Sequence, residues 1–388
     1  MRFRAKRMDV IPPSGTIDMF EKANQLEQSG MKIIHLDLGE PDFVTPKNIR
    51  KAAIMALEEG FTHYTTSIGI RELREAIAGD LKTRDVDIQP EKEIIVTSGA
   101  KHAIMCAMLA TVNPGDEVLV LTPAWPTYSV IIRMAGGIPV GVPTSETYSL
   151  NEEGLKKSLS DKSKLIVVNS PNNPTGGVLT KEEMKVIADL ATDKDLLVLS
   201  DEIYDKFVYD EMTQVSMGSF PDLMSRTIVV NGFSKTYAMT GWRLGYAAAP
   251  KEVIGNMLRI QQNSTTCPTS FAQKAALASF REGEYSVGRM IEEYDRRRKI
   301  VVSMINDIEG ISCLLPKGAF YVFPDISSLG LDSKALAMEF LEEAGVSTIP
   351  GSVFAWEGHI RISYATSVEN IVEGVKRIKG VLEKAKSL

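Results

Sequence analysis

Five short polar segments each follow an apolar run: "TSGAK" (97–101), "TPAWPTY" (122–128), "NSPNNPTG" (169–176), "SDEIY" (200–204) and "NGFSK" (231–235). The last delivers Lys235 off the run 227–230, between Ser234 and Thr236, with Arg243 eight residues on. A lysine so placed is either a solvated charge or a nucleophile held for a purpose. In "TSGAK", Gly99 and Ala100 are small and open a helical stretch. Backbone N–H groups there point at whatever lies in front of them, which favours a phosphate. Arg243 adds a planar fork able to grip the same phosphate. In "SDEIY", Asp201 stands at the mouth of an apolar strand, a costly place for a carboxylate without a positive partner. A protonated ring nitrogen would serve. At about 4 Å and an effective dielectric of about 20 the gross attraction is of order 4 kcal/mol. That is enough to keep a pyridine nitrogen protonated at neutral pH.

Asn173 precedes a rigid Pro-Thr-Gly turn and offers an amide from a fixed backbone; with Tyr204 it could hold a phenolic oxygen. Trp125 offers a flat face for stacking. Phosphate, protonated pyridine, phenolic oxygen, stacked ring and amine together describe pyridoxal 5′-phosphate (PLP). Lys235 would then be the Schiff-base lysine and Asp201 the pyridinium partner.

These residues need elements to bring them together. Segments such as "EIIVTSGAKHAIMCAMLATV", "DEVLVLTPAWPTYSVIIRMAGG", "SKLIVVNSPNNPTGGVLTKEEMKVIADLATD" and "DLLVLSDEIYDKFVYD" alternate a short apolar strand, a tight turn and a helical stretch. Alternation of this kind, with nearly all-apolar strands, implies an α/β fold with a mainly parallel sheet covered by helices on both faces. In such sheets ligands sit outside the carboxyl ends of the strands, so the five segments are expected to converge on one crevice. The pattern divides the chain into an N-terminal arm (1–44), a large domain (45–284) and a smaller α+β domain (285–388). The last is expected to hold "GAFYVFPDI" and "HIRISYA" as strands, and "SKALAMEFLEEAG" and "VENIVEGVKRIKGVLEKAK" as helices. The arm is expected to complete this smaller domain.

Bulk properties narrow the function classes. With 388 residues, 44% hydrophobic and 24% charged, and a net charge of −6, the chain has no basic excess to neutralise nucleic-acid phosphates. No apolar h-region follows the basic start, and no run is long enough to span a membrane. Cys106, Cys267 and Cys313 lie far apart and the four histidines are isolated. This fits a reducing cytoplasm and predicts neither disulfide nor metal site. The run "EEYDRRRK" reads as a solvated helix face.

The motifs "LGEPDF", "YTTSIGIRELREAI", "SPNNPTG", "SDEIY", "NGFSKTYAMTGWRLGY" and "RISYA" resemble, in order and spacing, those of the class I/II aminotransferases of PLP fold type I. The resemblance spans essentially the whole chain and is strongest to thermophilic and archaeal aspartate and aromatic aminotransferases. It implies Lys235 as cofactor lysine and proton shuttle, Asp201 on the pyridine nitrogen, Asn173 and Tyr204 on the phenolic oxygen, and Trp125 stacked on the ring. Gly99, Ala100, Ser234 and Arg243 match phosphate-pocket positions, and Lys101 adjoins them. Arg361 in "RISYA" matches the arginine for the substrate α-carboxylate, and Gly39 lies against the substrate backbone. Tyr64 matches a tyrosine reaching the phosphate of a neighbouring subunit, which implies a homodimer with shared active sites. One position departs from the pattern: where many members carry a phosphate-binding serine, three residues before the lysine, this chain has Gly232.

The implied activity is ping-pong transfer of an amino group from an L-amino acid to 2-oxoglutarate. Lys101, by resemblance a contact for a distal carboxylate, and Thr16 in "PPSGTI" favour aspartate as donor. The stretch "TTCPTSFAQ" resembles aromatic enzymes, which keeps an aromatic or broad specificity open, as does, further off, a PLP lyase of the same fold. A PLP-binding transcription regulator would need a DNA-binding domain for which the residues before the large domain are too few.

Overall fold

A computed structural model of the chain describes residues 3–13, 15–282 and 284–386. Its centre is a seven-stranded sheet: β1 (Ile94–Thr97), β2 (Glu117–Thr122), β3 (Ile138–Pro143), β4 (Ser163–Asn169), β5 (Leu197–Asp201), β6 (Thr227–Gly232) and β7 (Gly245–Ala248). The spatial order is β1-β7-β6-β5-β4-β2-β3. Every pairing is parallel except those of β7 with β1 and β6, so β7 alone runs against the rest.

Alternation along the strands explains why both faces are covered. Val118, Val120, Leu165, Val167, Leu199, Ile228 and Val230 enter one cluster, under the helices Ala100–Thr111, Thr127–Met134 and Lys251–Gln262. Their neighbours Leu119, Leu121, Ile166, Val168 and Val198 enter a second, closed by the helix Lys181–Asp193. Ile94, Val96 and Val229 enter a third, packed against the helices Arg71–Lys82 and Ser270–Glu282. A strand with side chains on both faces removed from water has no place for a polar alternate, hence its continuous apolar spelling. The helix Lys181–Asp193 starts on a reciprocal cap, Thr180 with Glu183, which satisfies two end donors.

The remaining strands are short. Ile349–Pro350, Ile360–Ser363 and Tyr321–Val322 form a three-stranded antiparallel sheet with Ile360–Ser363 in the middle. Ile34–His35 pairs in parallel with Val346–Ser347. The helices Glu284–Asn306, Ser333–Ala344 and Val368–Lys386 lie in the same part of the chain. The N-terminal helix Gly15–Gln28 packs Met19 and Ala23 against Phe323, Leu341 and Phe354.

The expected helix after "SDEIY" does not form. The connection from β5 to β6 is built from turns and two short 3-10 segments, Met217–Ser219 and Leu223–Arg226. Ile203, Tyr204, Phe207 and Tyr209 turn into a core shared with Tyr294, Phe320 and Tyr364, and Glu202 and Asp205 meet Arg84 at 2.9 and 3.2 Å. Tertiary burial on two sides overrides the local helical pattern. Among the described residues no helix is long and apolar enough to cross a membrane, and no group of three or more His, Cys, Asp or Glu could hold a metal ion.

Candidate active site

A cavity of about 400 Å³ opens where β1, β2, β4, β5 and β6 end. It is lined by Gly39, Ala100, Lys101, Trp125, Asn173, Asp201, Tyr204, Ser234, Lys235, Arg243 and Arg361. The five polar segments therefore reach one place, together with the "LGEPDF" loop and the strand Ile360–Ser363.

Lys235 follows β6 through a tight turn, and its Nζ donates to the Gly39 carbonyl. Burial pushes its ammonium down to about 8, with Arg361 and Arg243 acting in the same direction and Glu40 and Asp201 against it. A lysine that sheds its proton near neutrality is a nucleophile and a base.

Asp201 ends β5 in register with Asn169 at the end of β4, and the Asn169 amide donates to the Asp201 carbonyl at 3.0 Å. One carboxylate oxygen accepts from Tyr128 Oη at 2.6 Å and the other from the Ile203 N–H at 3.2 Å. Even so, burial raises this carboxyl to about 6. A buried acid held at a cavity wall with few local cations is poised for a cationic ligand atom.

Tyr204 shares a 2.8 Å hydrogen bond with the Tyr321 hydroxyl, and burial pushes its phenol well above the ordinary value, so it keeps its proton and can donate. Asn173 accepts from Arg361 Nη1 at 3.1 Å through Oδ1, which leaves its amide nitrogen as the donor. Arg361 also donates to the Asp37 carbonyl and lies over the Tyr321 ring at 4.6 Å and the Phe354 ring at 5.2 Å. Its Nε is buried with no hydrogen-bond partner. Trp125 meets Tyr128 edge-on at 5.4 Å, and Lys101 Nζ sits 5.0 Å from the Trp125 ring centroid.

The helix Ala100–Thr111 begins at Gly99, whose φ of +88° an L side chain rarely adopts. A Cβ there would stand 2.7 Å from Arg243 Nη2. Arg243 itself holds φ +54° and donates to the Thr240 carbonyl at 2.8 Å. A helix N-terminus, a guanidinium against it and a bare backbone make a cradle for a phosphate. The donor set fits PLP: an amine, a buried carboxylate, amide and phenol donors, and this anion cradle. At Gly232, where many resembling chains carry a serine, a Cβ would lie 3.1 Å from both Gly245 Cα and the Leu244 carbonyl, a tight fit that requires its neighbours to give by a few tenths of an ångström. Ser234 is instead buried in the cavity wall.

Of the expected residues with described side chains, Gly99 and Tyr64 are not among the lining. Tyr64 is 85% exposed. Thr16 belongs to the helix Gly15–Gln28, and its side chain lies outside the described residues. Other residues escaped the sequence reading: Tyr128, Asn169, Tyr321, Asp37, Glu40, and Ile17 and Phe20 from the N-terminal helix. Tyr128 carried a signal, one helical turn past Trp125 in "PAWPTY", and Asn169 ended an apolar run as Asp201 does. Tyr321 and Phe20 carried none, because only the tertiary packing brings them here.

The family described as aminotransferase class I and II matches residues 31–378. An aspartate aminotransferase of Pyrococcus abyssi is 45% identical over 388 residues, covering 98% of each chain. An aromatic-amino-acid aminotransferase of Thermococcus litoralis is 42% identical, again over 98% of both. The solved structure of the Thermus thermophilus aspartate aminotransferase with maleate superposes with a TM-score of 0.94 at 40% identity, covering 98% of this chain and all of that one.

Proposed function

The chain belongs to the class I and II aminotransferases, and from that premise we propose that it moves the amino group of an L-amino acid, aspartate in preference, to 2-oxoglutarate. The observation that carries this is the convergence of Lys235, Asp201, Asn173, Tyr204, Arg243 and Arg361 on one cavity.

The cofactor implied by the family is PLP, which when bound supplies the electron sink for bond breaking at the amino acid Cα. Gly99, Ala100, Ser234 and Arg243 would hold its phosphate, Asp201 its ring nitrogen, Asn173 and Tyr204 its phenolic oxygen, and Trp125 its ring face. Lys235 is its covalent anchor. Arg361 grips the α-carboxylate of the incoming amino acid in fork geometry, and the Gly39 backbone bounds the substrate on the other side. Once the incoming amino group has displaced it, the freed Lys235 amine, with its proton held only up to about pH 8, removes the proton from the substrate Cα as a general base of suitable strength. The same Arg361 takes amino-acid and 2-oxo-acid carboxylates in turn, the structural basis of a ping-pong cycle. Residues 45–284 form the cofactor-binding domain in this scheme, and 285–388 with the arm 1–44 form the smaller one.

Lys101, at the cavity wall, supports a distal carboxylate and hence aspartate. A second donor class is supported by Ile17, Phe20 and Ile104, which give the same cavity an apolar side suited to an aromatic side chain. The test is a half-reaction: PLP-loaded protein mixed separately with aspartate and with tyrosine, following the absorbance of the lysine-bound cofactor, with Lys235→Ala as control. Faster conversion by aspartate supports Lys101 as the distal contact. Faster conversion by tyrosine assigns the aromatic specificity, and no conversion by either in a protein that also holds no PLP refutes the transfer reaction. We further propose that the enzyme works as a cytoplasmic homodimer; three free cysteines suit a reducing compartment.

A further inference from the structure

The Arg361 guanidinium is held by the carbonyl of Asp37, and the side chain of Asp37 is itself engaged. Its Oδ1 meets His35 Nδ1 at 2.9 Å, with the carboxylate 1% and the imidazole 19% exposed. The other ring nitrogen, Nε2, faces Glu27 at 3.5 Å. Glu27 belongs to the helix Gly15–Gln28, whose Phe20 packs its ring 5.9 Å from that of His35 and, with Ile17, lines the cavity. The charged groups that reach His35 are Asp37 from its own segment and Glu27 from the helix. The strand paired with it, Val346–Ser347, presents no ionisable side chain.

We infer that His35 is a positioning residue whose imidazolium fastens the N-terminal helix to the Asp37 segment whose carbonyl holds Arg361, so that its protonation strengthens binding of the carboxylate substrate. This rests on Arg361 as the carboxylate-binding group. An imidazolium donates at both nitrogens, to Asp37 and toward Glu27. A neutral ring keeps one proton, which stays at Nδ1 against the buried carboxylate, and its Nε2 lone pair then confronts the Glu27 carboxylate. The helix loses a tie and gains a repulsion, and with it Ile17 and Phe20 lose their fixed place in the cavity wall. The hydrogen bond to Asp37 raises the imidazole above its ordinary value against the opposing effect of burial, with Glu27 adding to the rise. The tie is therefore present below that raised value and lost as the pH climbs through it.

The test uses the PLP-loaded protein and maleate as dicarboxylate probe, with Kd measured from pH 5.5 to 9 for the wild type and Glu27→Gln. Glu27 is 42% exposed at its side chain, so the substitution spares the core. A glutamine accepts from the imidazolium and donates to the neutral ring, which keeps the tie in both states. The expected result is a wild-type affinity that falls about tenfold more than that of Glu27→Gln across the His35 titration. Reciprocity of linked equilibria adds a second readout: saturating maleate should move the His35 titration upward in histidine-labelled NMR spectra, with the signal assigned by its loss in His35→Asn. Coincident curves for wild type and Glu27→Gln, or a His35 titration that maleate leaves unmoved, would overturn the tie. Arg361→Leu is a separate check on the underlying assignment: maleate binding should vanish at every pH, and binding that persists would overturn that assignment whatever His35 does.

Discussion

At the scale of single residues, the site is a set of charges kept in places water has left. Asp201 shows the balance most clearly: burial drives its carboxyl up to about 6, and the Tyr128 hydrogen bond is the first of the influences that hold it down. Removing that bond with Tyr128→Phe leaves the carboxylate with one hydrogen-bond donor, the Ile203 N–H. Its protonation must then move to higher pH. The acid limb of the kcat/KM profile should shift upward, with a loss of about tenfold to a hundredfold at neutral pH, the equivalent of one net hydrogen bond to a charged group. A profile whose acid limb stays in place would remove Tyr128 from the machinery. Lys235 is the converse case. Its value falls from the ordinary 10.5 to about 8 on folding, so between those pH values the unfolded chain binds the extra proton and stability rises with pH. In the PLP-free protein, Lys235→Met should abolish that rise, as read from urea midpoints between pH 7.5 and 10. An unchanged pH slope would mean the amine is not desolvated.

At the scale of elements, the sheet is held by alternation, and the two sides of that alternation predict different sensitivities. Ile166 lies in β4 with no exposure, inside the cluster beneath the helix Lys181–Asp193. Ile138, in the edge strand β3, is 46% exposed. Ile166→Ala should cost about 2–5 kcal/mol through lost burial and the cavity left behind, and Ile138→Ala about 0.5 kcal/mol or less. Chemical denaturation of the two variants measures the difference, and equal losses would contradict the packing described. The same alternation made much of the fold legible beforehand. β1, β2, β4, β5 and β6 are spelled as apolar runs ending in polar turns, and Gly99, Asp201 and Lys235 stand at those ends. What stayed illegible was set by contacts distant in sequence. The pairing of Ile34–His35 with Val346–Ser347 leaves no mark in two residues. The turn after Asp201 reads as helical until Tyr204 and Phe207 are seen to share a core with Phe320. Arg361 was visible in its motif, but the Asp37 carbonyl and the Tyr321 ring that orient it were not.

For the whole molecule, the surface carries an argument that the cavity does not. Tyr64 is 85% exposed in a chain whose cavity tyrosines, Tyr128, Tyr204 and Tyr321, are buried, and Val44 is 73% exposed. The helix Lys47–Glu58 adds Ile54, Met55 and Leu57 at 55, 47 and 45% exposure while its Ile49, Ala53 and Ala56 are buried. A helix apolar on both sides normally has two partners, and in the proposed homodimer the second would be another copy of this chain. If the Tyr64 hydroxyl reaches the phosphate of a neighbouring subunit, it acts on cofactor affinity without touching the chemistry of its own cavity. Tyr64→Phe should then raise the Kd for PLP about tenfold or more, the range for a hydrogen bond to a charged group, while sedimentation still shows a dimer. Leu57→Glu, which introduces a charge into the apolar patch, should favour monomers, and its PLP affinity should fall with dilution. A Tyr64→Phe variant that binds PLP as the wild type does would return Tyr64 to the solvent. A wild type that sediments as a monomer while fully active would show that one chain closes its own site, with the apolar helix face serving something else.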